Sequence, residues 1–453
     1  MKKENYLGEA PIGKILIKYS IPAIIGMVVN ALYNVVDRIF IGNIPGVGSL
    51  AMTGLGVTMP IVTILLAFGM LIGVGTAANI SIKLGQGKRE EAEKLIGNSL
   101  TLGIIIGLIL TVIGIVFGDS LLSLFGASEG ALPFAKAYIN IILVGAAFNI
   151  IAFSLSSTIR ADGNPQMSAI IMVVGCLANV VLDALFIFGF GWGIEGAALA
   201  TIMSQAITAI WVILYYTRGN SNLKLKKENM KLDMKLVKII FAIGSAPFAM
   251  QISASLVQVI SNNSLKTYGG DVAIGAMATI SAIAMMFLMP IFGINQGSQP
   301  IIGYNYGAKK YDRAKKAYLI STLASVIILF IGFMIIQIFP REILGLFNKD
   351  EELMKIGITG VRIYLCMIPI SAMAITGSNY FQSIGSVKKA MVLSLLRQIL
   401  LLIPLLIILP RSFGLTGVWL SQPVADFLAT VITLILLIKE FRKYKTYKLE
   451  TSK

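Results

Sequence analysis

The chain has 453 residues, a formal charge of +16, no histidine, 56% apolar residues and 13% charged ones. A soluble domain carries roughly 25% charged residues, so a large water-soluble globule is excluded. The lack of histidine also removes HExxH metalloproteases and histidine acid–base chemistry.

The apolar residues gather in runs of about 20 or more, long enough to cross a hydrocarbon core of roughly 30 Å as helices. They predict spans at 14–41, 52–81, 95–116, 134–157, 167–188 and 194–216. After a polar linker come 237–262, 272–296, 316–338, 356–380, 390–409 and 415–438. The runs are continuous rather than alternating, which selects helices over a barrel, since in lipid each backbone amide must be paired within its segment. The expected fold is an all-α membrane protein with 12 transmembrane helices. Residues 1–216 would form an N-terminal six-helix lobe, 217–236 a cytoplasmic linker, 237–440 a C-terminal six-helix lobe and 441–453 a cytoplasmic tail. The first run is too long for a signal-peptide h-region and no cleavage site follows it. Cys176 and Cys366 fall inside spans of opposite halves as small apolar residues and imply no disulfide framework.

With the N-terminus inside, 30 of the 38 basic residues fall on cytoplasmic segments. The other eight, Arg38, Lys136, Lys266, Arg341, Lys349, Lys355, Arg362 and Arg411, lie in or near external ones. That asymmetry follows the positive-inside rule. It assigns the net charge to orientation rather than to nucleic acid, and places both termini on the cytoplasmic side of a bacterial plasma membrane. The charged stretch from Arg218 to Lys238 reads as an ordinary solvated loop.

The halves repeat. Gly85-Gln-Gly-Lys-Arg-Glu-Glu-Ala92 corresponds to Gly307-Ala-Lys-Lys-Tyr-Asp-Arg-Ala314 at an offset of 222, which also aligns Phe117 with Phe339, Leu124-Phe125 with Leu346-Phe347 and Gly163 with Gly385. Gly193 pairs with Gly414 at 221 and Pro22 with Pro247 at 225. Six helices per repeat is an even number, so the halves enter the membrane in the same sense. They are related by a pseudo-twofold along the membrane normal, with a substrate path between them.

Asp37, Asp183 and Asp426 fall inside apolar spans, where each costs several kcal/mol unless paired or hydrated. Tyr33 and Asn30 share a helix face with Asp37 at four- and seven-residue spacing. Asn179 stands one turn from Asp183, and Thr201 enters helix 6 at comparable depth. Carboxylate, amide and hydroxyl oxygens in one layer suit a shared proton or a hard cation such as Na⁺. Arg38 adjoins Asp37 but points about 100° away on the helix. Arg397 in helix 11 reaches the depth of Asp426 in helix 12, so these two read as a buried ion pair. The alternative is a second proton or substrate-cation site.

Prolines 22, 60, 247 and 290 interrupt predicted helices and permit kinks; Pro22 is a candidate hinge. Met285, Met286, Phe287 and Met289 could line a greasy multispecific cavity. No Walker A loop is present, since Gly87-Lys88 is followed by Arg89. No aspartate-rich cluster suits Mg²⁺ and a diphosphate. An ion gradient is therefore the expected energy source, with no cofactor.

Three segments carry a resemblance to the multidrug and toxic compound extrusion (MATE) family, nearest to its MepA-like and DinF-like branches. They are Tyr33-Asn-Val-Val-Asp-Arg-Ile-Phe-Ile-Gly42, Asn179-Val-Val-Leu-Asp183 with Phe186-Ile-Phe-Gly189, and Gln296-Gly-Ser-Gln-Pro-Ile-Ile-Gly-Tyr-Asn-Tyr-Gly307. The resemblance implies a twelve-helix, two-lobed antiporter that exchanges H⁺ or Na⁺ for organic cations and other amphipathic drugs by rocking between outward- and inward-open states; the chain itself is expected to act as a monomer. It also implies an N-lobe cation site at Asp37, Asn179, Asp183 and Thr201, with Tyr33 and Asn30 as outer members. The NorM-like branch carries further acids in helices 7 and 10; this chain has none at 237–262 or 356–380, so that C-lobe sodium site is not expected. The rival within transport is a flippase for lipid-linked precursors, which would need a basic central cavity. A membrane-embedded enzyme is disfavoured by the lack of a catalytic constellation.

Overall fold

The computed structural model describes residues 6–125, 129–219, 221–346 and 351–451. Phe347, Lys349 and the last two residues of the predicted tail lie outside the described residues. Twelve membrane helices follow in order. The first lobe has α1 (Ile12–Gly42), α2 (Gly48–Gly85), α3 (Arg89–Leu124), α4 (Leu132–Val144 continuing as Ala146–Ala161), α5 (Pro165–Asp183) and α6 (Gly193–Thr217). The second has α7 (Met234–Gly270), α8 (Val272–Gly307), α9 (Tyr311–Ile338), α10 (Leu353–Tyr364 continuing as Ile368–Ser383), α11 (387–413) and α12 (415–451). Most run well beyond the predicted spans, because their polar ends stay helical outside the hydrocarbon layer.

The repeat reappears in the backbone. Positive φ occurs at Gly87 and Lys309, at Gly163 and Gly385, and at Gly193 and Gly414, and each pair is 221 or 222 residues apart. Two helices are sharply bent, α4 by 55° and α10 by 51°. The bends sit at Gly145 and just before Pro369, again one repeat apart. Glycine and the missing proline N–H are ordinary causes of such breaks. Pro22, the candidate hinge, instead lies inside an unbroken helical run.

Ile17, Ile21, Ile25, Leu32 and Val35 expose an apolar stripe along α1 at helical spacing, as a lipid-facing helix requires. The lobes meet near the end of the molecule that carries the basic loops. There Ile15, Leu16 and Tyr19 of α1 join one apolar core with Ile301, Tyr318 and Tyr380 of the second lobe. A methyl added to Gly85 would overlap the Tyr304 carbonyl, and one added to Gly307 would overlap the Ile82 carbonyl. Both partner pairs are 222 apart, so this α2–α8 crossing is a self-complementary, two-fold contact within one chain. Gly75 and Gly244 bring α2 onto α7 in the same backbone-to-backbone manner. Among the described residues, every glycine whose added methyl would strike the other lobe lies in this basic half of the molecule.

The linker is not the free solvated loop that its charge suggests. Asn98 of α3 donates to the carbonyls of Asn229 and Lys231 and accepts from the Asp233 amide, and Thr101 donates to Met230. Lys226 pairs with buried Glu93 at 2.8 Å. The segment entering the second lobe is thus strapped to the first. The converse also holds, since Asn305, Lys310 and Arg313 of the second lobe hold the carbonyls of Leu7, Gly8 and Ala10, just ahead of α1.

Candidate functional site

Asp37 lies in the last third of α1. Asp183 is the last residue of α5 before a π-helical turn, Ala184–Gly189, that adds a residue to the helical repeat and leads to the α5–α6 corner. Asp183 is fully buried and Asn179, one turn earlier, is 1% exposed. The two carboxyls face one another closely enough to share a proton in a hydrogen bond. Asn179 Nδ2 donates to Thr201 Oγ1 at 3.5 Å, and Thr201 itself donates to the Ala197 carbonyl. Asp37, Asp183, Asn179 and Thr201 are therefore brought together. Tyr33 is in electrostatic reach of both acids, whereas Asn30 turns to the Cys176 thiol.

What distinguishes this layer is that several of its oxygens have no donor aimed at them. Asp37 Oδ1, Asp183 Oδ1 and Oδ2 and Asn179 Oδ1 are all buried without a hydrogen-bond partner. Among the described residues neither carboxylate has an ion-pair partner within 4.0 Å. Each orphaned buried acceptor costs roughly 1–3 kcal/mol, more when it is charged. A proton between the carboxyls, or a hard cation among the four oxygens, removes that cost.

One member escaped the sequence reading. Tyr138 of α4 reaches Thr201 with its hydroxyl and lies in electrostatic reach of Asp37, Asp183 and Tyr33. Its sequence signal is faint, a lone hydroxyl at the start of an apolar run, and the 55° bend of α4 follows it.

In the second lobe Arg397 Nη1 stands 3.5 Å from Asp426 Oδ1. Gln422 Nε2 donates to the same oxygen at 3.1 Å, and Tyr364 Oη donates to Gln422 Oε1 at 3.4 Å. Unlike the first-lobe acids, this carboxylate is supplied with donors. Met285 and Met286 are exposed.

Two repeat-related bundles of six helices with unpaired acids buried in one of them define a polytopic membrane transporter. The chain belongs to the MatE family of multidrug efflux transporters, whose sequence pattern matches residues 22–185 and 247–408. It is 28% identical over 438 residues to the multidrug export protein MepA of Staphylococcus haemolyticus, covering 95% of this chain and 96% of that one. MepA of Staphylococcus aureus strain MSSA476 is likewise 28% identical over 439 residues, covering 96% of each. Among solved structures, an outward-facing conformation of a multidrug resistance MATE family transporter superposes with a TM-score of 0.92 at 24% identity, covering 98% of this chain and 99% of that one. A MOP superfamily transporter from Pyrococcus furiosus gives 0.91 at the same identity and coverage. These structural likenesses speak for the fold.

Proposed function

We propose that the protein is a secondary antiporter that exports organic cations and other amphipathic drugs in exchange for H⁺ or Na⁺, without chemical turnover, acting as a single chain. The observation that carries this reading is the cluster of unpartnered buried oxygens on Asp37, Asn179 and Asp183, a layer that is costly until a cation enters it. By the positive-inside rule the basic end faces the cytoplasm of a bacterial cell. The acid layer then lies toward the outside, and the glycine crossings close the inner side.

Coupling requires the two ligands to favour different states or to compete for one site. The bare acids favour whichever arrangement hydrates them. Loading them with a cation removes that preference, frees the lobes to part on the basic side, and lowers affinity for drug on the outer side.

The test is efflux of a cationic dye from vesicles carrying Asp37→Asn or Asp183→Asn, which keep shape but remove the charge. Gradient-driven efflux should fall at least tenfold in each, and wild-type rates in both would overturn the assignment. Proteoliposomes with ΔpH and ΔpNa imposed separately identify the coupling ion.

A further inference from the structure

The second lobe holds a partly enclosed cavity of about 60 Å³ among α7, α8, α10, α11 and α12. Gln258, Ser261, Ser281, Tyr364 and Gln422 give it polar walls, and Met277, Leu402 and Leu406 an apolar one. The repeat gives it a meaning. Gln258 occupies the position equivalent to Tyr33 at the offset of 225, and Gln422 that equivalent to Thr201 at 221. It is the second-lobe counterpart of the acid layer. Its α5-derived acceptors have been replaced, since Leu401 and Leu405 stand where Asn179 and Asp183 would fall.

Its charge lies one side chain deeper. Asp426, 5% exposed, is held at one carboxylate oxygen both by Gln422, which lines the cavity, and by Arg397. Arg397 begins its reach from a second π-helical turn, Leu396–Leu402. π turns carry an inserted residue and gather at functional positions. A one-residue shift of this turn would rotate Arg397 by about 100° around the axis, away from Asp426. A buried carboxylate left bare is strongly unfavourable, so such a shift needs an incoming cation.

We propose that this cavity binds the cationic head of an amphipathic organic amine, which takes the place of Arg397 as the partner of Asp426. The head donates to Gln422 Oε1, which Tyr364 now engages only loosely, and Asp426 supplies the opposite charge. The volume corresponds to about two waters, which admits an ammonium and its first carbon, with the buried Met277 and Leu402 side chains as the apolar wall against that carbon. Arg397 masks the site when no substrate is present. The proposal rests on the antiporter reading for its substrate class, but its test reads equilibrium binding.

The probe is dansylcadaverine, a fluorophore on a primary-ammonium arm, compared with its N-acetylated neutral form, in nanodiscs at fixed pH without a gradient. Wild type should bind the ammonium form at least tenfold more tightly than the neutral one. Asp426→Asn should erase that preference, and Arg397→Gln should tighten ammonium binding several-fold. Should Asp426→Asn fold poorly with Arg397 left unpaired, the double variant R397Q/D426N carries no charge and must likewise lose the preference. The proposal is overturned if D426N or the double variant keeps the wild-type preference, or if R397Q weakens ammonium binding. Dye transport by wild type together with an unchanged preference in D426N would sink this site and leave antiport standing; absence of transport under any gradient would sink antiport instead.

Discussion

The two lobes share a scaffold to the level of individual φ angles yet treat their buried carboxylates in opposite ways. In the first lobe, Asp37 and Asp183 face each other with orphaned oxygens. In the second, Asp426 is given Arg397 and Gln422. Repeat-related bundles can thus hold acids left without a partner, on α1 and α5, or an acid given a cation by the chain, on α12. The difference comes from five positions: Asn262, Leu401 and Leu405 stand where Asp37, Asn179 and Asp183 would fall, Asp426 stands where the first lobe has Gln205, and Arg397 adds a donor to α11 where the first lobe has Gly175. A duplicated fold leaves packing symmetric while charge diverges, because close packing tolerates few changes whereas a polar layer needs only a new partner.

The strongest way to break this comparison is at the element the lobes share most closely. Gly85→Ala and Gly307→Ala each set a methyl against the equivalent carbonyl of the other lobe. Overpacking costs roughly 1–3 kcal/mol, equivalent to about 5- to 150-fold in the population of the closed crossing. The two variants should slow dye efflux by similar factors and raise labelling of Ser81→Cys by a membrane-impermeant maleimide. Gly56→Ala, on the same helix with open space around it, should do neither. Unequal losses would mean that the crossing is symmetric in shape but not in use.

Next in size are the straps. Asn98 holds 229–233 and Asn305 holds the segment before α1, in each case with an amide that both donates and accepts. Asn98→Ala and Asn305→Ala remove hydrogen bonds to the part-buried backbone of 229–233 and to the Leu7 carbonyl, at about 1 kcal/mol each. Each should lower the melting temperature by a few degrees and speed hydrogen exchange in the segment it releases. Faster exchange in both segments from either variant would show that the straps open as one unit.

The helices, their number and the duplication were legible because apolar runs and recurrent landmarks are local properties of the chain. So was the identity of the costly acids, since a carboxylate in an apolar run needs no structure to be noticed. The linker was misread for the same reason. Its charges signal solvation, but Asn98, Thr101 and Glu93, which tie it down, are polar residues of a helix more than 120 residues earlier in the chain. Tyr138 was missed because its role depends on how α4 lies against α6, which no spacing reports. The contrast between bare and supplied carboxylates also belongs to tertiary contact, although Arg397 and Asp426 could be paired by depth.

Tyr138 offers a finer probe of the acid layer. Tyr138→Phe removes its hydroxyl from Thr201 and from the neighbourhood of the acids while keeping the ring. A typical hydrogen bond contributes about 1 kcal/mol, so the coupling-ion concentration at half-maximal efflux should rise about fivefold with the maximal rate nearly unchanged. Tyr364→Phe at the second-lobe counterpart should leave that concentration as it is. A shift from Tyr364→Phe equal to that from Tyr138→Phe would erase the distinction between the lobes.

The smallest expected effect concerns a carboxylate that the first lobe has and the second lacks. Asp162 follows α4 outside the membrane spans and is 2% exposed; Ile384 holds the equivalent position. Asp162 Oδ2 accepts from Tyr215 Oη at 2.6 Å and from the Asn222 amide at 3.0 Å, and Oδ1 from the Leu223 amide at 2.7 Å. Burial nevertheless pushes the carboxyl up to about 6 from an ordinary 3.8, opposed by those donors and by Arg89. An acid with a raised folded-state pKa is stabilised by protonation, so its contribution is full below 3.8 and is lost as pH rises through about 6. Melting temperature measured in nanodiscs from pH 5 to 7.5 should therefore carry a fall that levels off above about 6 in wild type and is missing in Asp162→Asn. Parallel curves would mean that the donors outweigh burial and that Asp162 stays ionised, fastening the linker as a permanent anion that responds to pH no more than Ile384 does.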